Sequence, residues 1–354
     1  MAPTSEVEVR EGLEGVVVTR TRLSRVDGEA GELVIAGSRV EDLAGKLPFE
    51  AVCAKLWERP SVDLGPMRVQ AFSRRATLGG ALDTPEPMDA LRASVAHLPS
   101  TSSPDAVTAS VAVFAALWER QRNGQPLVPP DPRLSHAADL LRMIRGEPAP
   151  AAQVAGLDTY LSTVVDHGLN ASTFTARVIA STNSDLVSAV VGALGALKGP
   201  LHGGAPGPVL DMLEAVGSPE RAEAWLGAEL AAGRRIMGMG HRVYRVRDPR
   251  AAVLEAAVER LEAAGVRSAR LRLARAVERA ATDVLAARHP DRSLKANVEF
   301  YTAVLLDVVG VPRALFTPMF AVGRVAGWCA HFEEQRRTGR LIRPESLYVG
   351  ALPT

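Results

Sequence analysis

The sequence predicts a mainly α-helical protein of about two domains, with a small β-hairpin near its N-terminus. Three observations carry this. Residues typical of β-strands concentrate in 14–36, where turn chemistry separates them. Beyond that stretch Ala, Leu, Arg and Glu dominate, apolar residues recur at helical spacing, and Pro or Gly punctuates each segment. The 354 residues fit about two domains at roughly 150 residues each.

Val16 to Val18 and Leu33 to Ile35 are the strand-like runs, with turns at Asp27-Gly28 and Gly31. Helices are expected over 87–98, 103–122, 131–145, 152–166, 172–180, 186–197 and 219–232. The Ala-, Leu-, Arg- and Glu-rich stretch 249–287 reads as two helices broken at Gly265. The last helices are expected over 298–309 and 318–337. Linker candidates are 84–87, 124–130 and 146–150, and the chain carries no internal repeat.

Composition narrows the function. Hydrophobic residues make up 47% and charged residues 23%, enough for a sizeable core. The formal net charge is +1, from 41 basic and 40 acidic residues, whereas a dedicated nucleic-acid or membrane-surface binder carries a clear basic excess. Any bound anion must therefore meet a local cluster of cations. Cys53 and Cys329 are no disulfide framework, there is no CxxC motif, and a reducing cytoplasm is expected. The N-terminus lacks the apolar region of a signal peptide, and the longest nearly apolar run, 186–197, is too short to span a bilayer.

Of seven histidines, His97, His136, His289 and His331 sit in ordinary helical or boundary settings and read as structural or exposed. The other three do not. His202 lies in GALKGPLHGGAPGP, where a helix is expected to begin near the histidine and run to Val216. The positive end of its dipole would favour a neutral imidazole, able to donate to a carbonyl, and Gly203 and Gly204 would admit a ligand close to the backbone. A loop histidine among turn glycines is the plainer reading.

His241 lies in RRIMGMGHRVYRVRDPR, followed within nine residues by Arg242, Arg245, Arg247 and Arg250. That density reads as a local anion site, because guanidinium matches carboxylate and phosphate, with a solvated basic loop as the alternative. His167 and Asn170 precede a helix that Ser172 or Thr173 would cap; alone, a buried structural histidine is the commoner case. Glu299, in LKANVEFYTAVLL, opens an apolar helix, where a carboxylate ordinarily complements the dipole. No HxH or HExxH spacing joins these groups, so no metal is expected.

Taken in order, GPLHGGA, GHRVYRVRDPR, NVEFY, DHGLNASTFTARVIAST, GLEGVVVTRTRLSRVDGEAGEL, PMDALRASV, GRVAGWCAHFEEQ and LIRPESLYVG resemble the landmarks of the citrate synthase family, from Gly12 to Gly350. The length is similar to that of its small dimeric members. The resemblance implies a two-domain multi-helical fold, with residues 1–206 and 312–354 as a large dimerising domain and 207–311 as a small mobile one. It implies that acetyl-CoA condenses with oxaloacetate and water to give citrate and CoA, with no tightly bound cofactor. It assigns His202 to the thioester carbonyl, His241 to the oxaloacetate ketone and Glu299 as the base. His167, Arg250 and Arg324 would bind oxaloacetate, Arg343 would reach into the partner subunit's site, and Arg245 would lie near the CoA phosphates.

A thioester α-proton is very weakly acidic, so a carboxylate base needs simultaneous stabilisation of the enolate oxygen in a cleft that excludes water. Three positions depart from the family pattern: Glu299 replaces aspartate, Gly168 replaces the glutamate of DHELN, and Pro206 stands in HGGAPGP where the family has HGGANE. Two further readings stand beside the first. One is 2-methylcitrate synthesis from propionyl-CoA, a difference of one methylene; the other is a catalytically weak protein of this fold that binds acyl-CoA or dicarboxylates for regulation.

Overall fold

The computed structural model describes residues 9–13, 15–203, 206–241, 243–266, 268–289 and 294–351. Among them a three-stranded antiparallel sheet comes first: β1 (Ser24–Asp27), β2 (Glu32–Ile35) and β3 (Ser38–Arg39), in that order. Ser24 pairs with Ile35 and Asp27 with Glu32, and the turn between them is closed by Ala30 N–H on the Asp27 carboxylate at 2.9 Å. Leu33 and Ile35 alternate inward and are fully buried. Val16 to Val18 form no strand. They are exposed and have no neighbouring strand to pair with, and β-propensity without a partner makes no sheet.

Fifteen α-helices follow among the described residues. They are α1 (Val40–Leu43), α2 (Phe49–Leu56), α3 (Gly65–Ser73), α4 (Pro87–Ala96), α5 (Pro104–Arg122), α6 (His136–Arg145), α7 (Ala151–Val164) and α8 (Ala171–Ser181). Then come α9 (Leu186–Leu197), α10 (Pro206–Val216), α11 (Ala222–Ala231), α12 (Pro249–Ala263), α13 (Arg270–Arg288), α14 (Val298–Val309) and α15 (Phe316–Thr338).

Their ends follow from local chemistry. Proline opens α4, α5 and α12, where its missing N–H goes unneeded. Side chains of Ser103, Asn170, Asp185, Asp248 and Asn297 accept the first free amides of α5, α8, α9, α12 and α14. Gly146 and Gly310 end α6 and α14 in the left-handed conformation. The N-cap of α8 is Asn170, two residues before the expected serine. Helix α6 starts five residues later than its composition suggests. Arg68 Nη2 holds the carbonyls of Asp131 and Leu134 at 3.2 and 2.6 Å, which fixes that segment as a turn.

The core is densest where α15 passes between α5, α7, α8 and α9. Trp328 of α15 and Phe300 of α14 are fully buried, and burying each such ring contributes about 1.5–3 kcal/mol. Cys53 and Cys329 are buried free thiols. No helix among the described residues is long and apolar enough to cross a membrane.

Candidate active site

Two chain segments, stitched together, present the first half of the site. The loop 237–248 runs beside the opening of α14: Gly240 N–H donates to Lys295 O at 2.7 Å, Asn297 N–H to Gly238 O at 3.0 Å, and Asp248 N–H to Ala296 O at 3.3 Å. His241 and Glu299 are thereby fixed relative to each other. On its far side the same loop leans on the β1–β2 turn. Arg245 N–H donates to Gly28 O at 2.9 Å, and a Cβ at Gly28 would lie 2.2 Å from Val243 O, so only glycine permits this approach.

His241 has its tautomer set by the backbone. Nδ1 accepts the amides of Val243 and Tyr244, each at 3.0 Å, so the ring proton sits on Nε2. Arg250 Nη2, 3.4 Å from Nε2, is therefore a second donor facing the same space. Burial, and then the Arg250 charge, lower the His241 pKa to about 4, so the ring is a neutral donor at neutral pH.

His202 is built differently from expectation. It lies in the turn after α9, its N–H on Gly199 O at 2.9 Å, and α10 begins only at Pro206. No helix dipole is responsible for its state. Burial first, and then Arg324, lower its pKa to about 4. Nε2 accepts Ser172 N–H at 3.4 Å and lies 2.8 Å from Ser172 Oγ, which assigns the ring proton to Nδ1. Ser172 Oγ also accepts Trp328 Nε1–H at 3.2 Å, and the Asn170 side-chain oxygen Oδ1 lies 2.8 Å from it.

His167 meets His241 edge to face at 5.5 Å, and its Nε2 lies 3.2 Å from Tyr244 Oη. Burial, aided by Arg250, keeps it neutral. Gly168 beside it has φ +58, and its N–H reaches Ser24 Oγ at 2.9 Å, which ties this corner to β1.

The arginines divide. Arg250 is 3% exposed, and Asp248 takes its Nε and Nη2 at 3.0 and 2.8 Å, while Nη1 makes no hydrogen bond to a described residue. Asp248 also accepts Val298 N–H at 3.1 Å, so one carboxylate aligns α12, α14 and the guanidinium. Arg324 of α15 is 1% exposed; Nε donates to Val164 O at 2.5 Å, and Nη2 has no partner. Burial lowers its pKa to about 10, which leaves it a cation near neutral pH. The expected anion cluster around His241 is otherwise dispersed. Glu278 and Glu255 neutralise Arg247, each at 2.7 Å, and Arg245 is exposed. Arg242 lies outside the described residues, as do Gly204 and the Pro206 side chain.

Glu299 occupies the second position of α14, behind the Asn297 cap. Its carboxylate makes no hydrogen bond to a described residue, and burial raises its pKa to about 7 against the pull of Arg250. The structure therefore gathers His167, His202, His241, Arg250, Arg324 and Glu299, linked by contacts or by mutual electrostatics. Arg343 stays exposed in the extended segment after α15 and makes no hydrogen bond or ion pair with that group. Sequence reasoning missed Tyr244, Asp248 and Ser172. Asp248 carried a signal, since Asp before Pro is a helix-start signature.

Chemically this cluster offers two neutral imidazole donors, a carboxylate whose pKa lies near 7, and two buried guanidinium groups for an anion. Residues 12–345 match the family model for the citrate synthase C-terminal domain. The chain is 38% identical to a citrate synthase of Haloferax volcanii, over 97% of this chain and 96% of that protein. It is 37% identical to a 2-methylcitrate synthase of Mycobacterium tuberculosis, over 99% of this chain and 93% of the other. It is also similar to the Thermoplasma acidophilum citrate synthase in ternary complex with carboxymethyl coenzyme A and oxaloacetate. There the TM-score is 0.86 and the identity 26%, covering 98% of this chain and 97% of that one.

Proposed function

The chain belongs to the citrate synthase family, and from that premise we propose that it condenses acetyl-CoA with oxaloacetate and water to give citrate and free CoA, with Glu299, His202 and His241 as its catalytic residues. The observation that carries this is the matched pair of neutral histidine donors in a cluster that also holds the buried Glu299 carboxylate. Each ring has one nitrogen committed to backbone amides and the other left as a donor.

Glu299 takes a proton from the acyl α-carbon, while His202 Nδ1–H stabilises the enolate oxygen that forms. The α-carbon then bonds to the ketone carbon of oxaloacetate, and the electron pair of the C=O bond moves to its oxygen, which His241 Nε2–H receives. Water finally attacks the thioester of the bound citryl-CoA, releasing CoA as a thiol. Arg250 Nη1 and Arg324 Nη2 hold the oxaloacetate carboxylates, and His167 completes that wall. Arg245 is the weaker candidate for the CoA phosphates.

His167, His202 and Arg324 come from the proposed large domain, 1–206 and 312–354, and His241, Arg250 and Glu299 from the small domain, 207–311. Closing one on the other would exclude water from the enolate. A homodimer with Arg343 completing the partner's site fits the exposed apolar residues of both terminal segments, among them Val17, Leu341, Tyr348 and Val349. The donors present call for no tightly bound cofactor, and the free thiols fit a cytoplasmic setting. The Thermoplasma relative's complex with carboxymethyl coenzyme A and oxaloacetate supports acyl-CoA and oxaloacetate as the two substrates.

A second reading takes propionyl-CoA as the acyl donor, favoured by the 2-methylcitrate synthase relative. One methylene in a hydrophobic pocket changes discrimination by only about 1–3 kcal/mol. The test is thiol release with oxaloacetate and acetyl-, propionyl- or butyryl-CoA. The highest kcat/KM with acetyl-CoA is expected. A preference for propionyl-CoA would select the second reading, and no release with any donor would leave a binding protein and refute both.

A further inference from the structure

Tyr160, in the last turns of α7, is fully buried, and its hydroxyl has no hydrogen-bond partner among the described residues. Interiors rarely keep such a group, because phenylalanine would fill the same space without an unpaired donor. Its surroundings explain it. Val164 lies one turn further along the same face of α7, and its carbonyl receives Arg324 Nε at 2.5 Å. Arg324 Nη2 is likewise buried and unpartnered.

Helix α14 packs against α7: Gln153 reaches Val308 O at 3.4 Å, and a Cβ at Gly156 would meet Val309 at 2.9 Å. Arg324 and Glu299 are the two charges that act on the phenol, whose ionisation burial pushes above the physiological range. It is a neutral donor.

Two buried donors that act on each other electrostatically, each without an acceptor among the described residues, suit a third group, and a carboxylate can accept from both. Glu299 does not fill that place, since its carboxylate makes no hydrogen bond to a described residue. We propose that Tyr160 is a further substrate-binding residue, whose hydroxyl donates to the same oxaloacetate carboxylate that Arg324 Nη2 receives. The inference rests on the reading above in which Arg324 holds oxaloacetate.

Calorimetric titration of oxaloacetate into the wild type, Tyr160→Phe and Arg324→Leu separates the two. Tyr160→Phe is expected to weaken binding about tenfold or more, as befits a bond to a charged acceptor. The melting temperature of the free protein should stay level or rise, because an orphaned hydroxyl has been removed. Unchanged affinity in Tyr160→Phe with a weakened Arg324→Leu overturns the role of Tyr160 and leaves the cleft intact. Unchanged affinity in both overturns the cleft reading and this inference with it. A kcat loss with unchanged KM and a displaced acidic limb would assign the hydroxyl to Glu299 instead, and overturn the proposal. So would a lower melting temperature, the mark of a structural partner. In the wild-type background, 3-fluorotyrosine at position 160 should shift its fluorine resonance when oxaloacetate saturates the site; a static signal refutes the contact.

Discussion

Replacing Glu299 with glutamine should inactivate the protein and stabilise it at the same time. Burial holds the carboxyl pKa at about 7, against an ordinary glutamate value of 4.5. Between those values the folded chain binds a proton that the unfolded chain has released, so stability falls as pH rises through this window. At 1.36 kcal/mol per pH unit, that gap corresponds to about 3 kcal/mol. Partial exposure to solvent reduces that to about 2–3 kcal/mol. The full penalty applies above pH about 7 and vanishes below about 4.5, where both states are protonated.

Glutamine keeps the shape and carries no charge at any pH. Glu299→Gln should therefore exceed the wild type by about 2–3 kcal/mol at pH 8 and match it near pH 4. The amide accepts no α-proton, so thiol release should fall by about 10²–10⁴. In the wild type, kcat/KM should climb with pH through about 7, as the carboxylate form appears. Chemical denaturation across pH and the thiol-release assay supply the two readouts. Retained turnover in Glu299→Gln would remove this residue as the base. Equal stability of both proteins at pH 8 would refute the burial argument.

Two further outcomes are expected. In Gly28→Ala the new methyl would sit 2.2 Å from Val243 O, where carbon and oxygen need about 3.3 Å, so the His241 loop must move by about 1 Å. A misplacement of that size costs about 10²-fold in rate, so kcat/KM should drop by that order while the melting curve stays close to wild type; a change under twofold would sink the bracing role. If the proposed dimer forms, Arg343→Ala should lose turnover without dissociating it, and mixing it with inactive Glu299→Gln should restore part of it through hybrid sites. Light scattering and the thiol assay check this, and a fully active monomer would exclude it.

Much of the fold was legible because helical periodicity and caps are local. The extents of α9 and α14, and the break at Gly265, all follow from residues within a few positions. Val16 to Val18 misled because a strand needs a partner that local sequence does not name. His202 and His241 stood out by their surroundings, and His167 and Glu299 only through the family resemblance, yet their protonation did not. The His241 tautomer depends on two amides of its own loop, and the low pKa of His202 on burial and on Arg324, far along the chain. The arginine run looked like one anion site because sequence proximity hides side-chain partners; Glu278, on α13, claims Arg247. Tyr160 was invisible for the same reason, its meaning arising only where α7, α14 and α15 meet.

The hairpin's attachments span nearly the whole chain. Ser24 Oγ donates to Asp166 across 142 positions, and Arg22 N–H reaches Glu334 across 312. A ribosome adding about 5–20 residues per second needs roughly 15–60 s to make the second of these partners. Through that interval the segment leading into β1 lacks its α15 anchor. Moving the hairpin next to α15 by circular permutation should shorten the wait and reduce aggregation during expression.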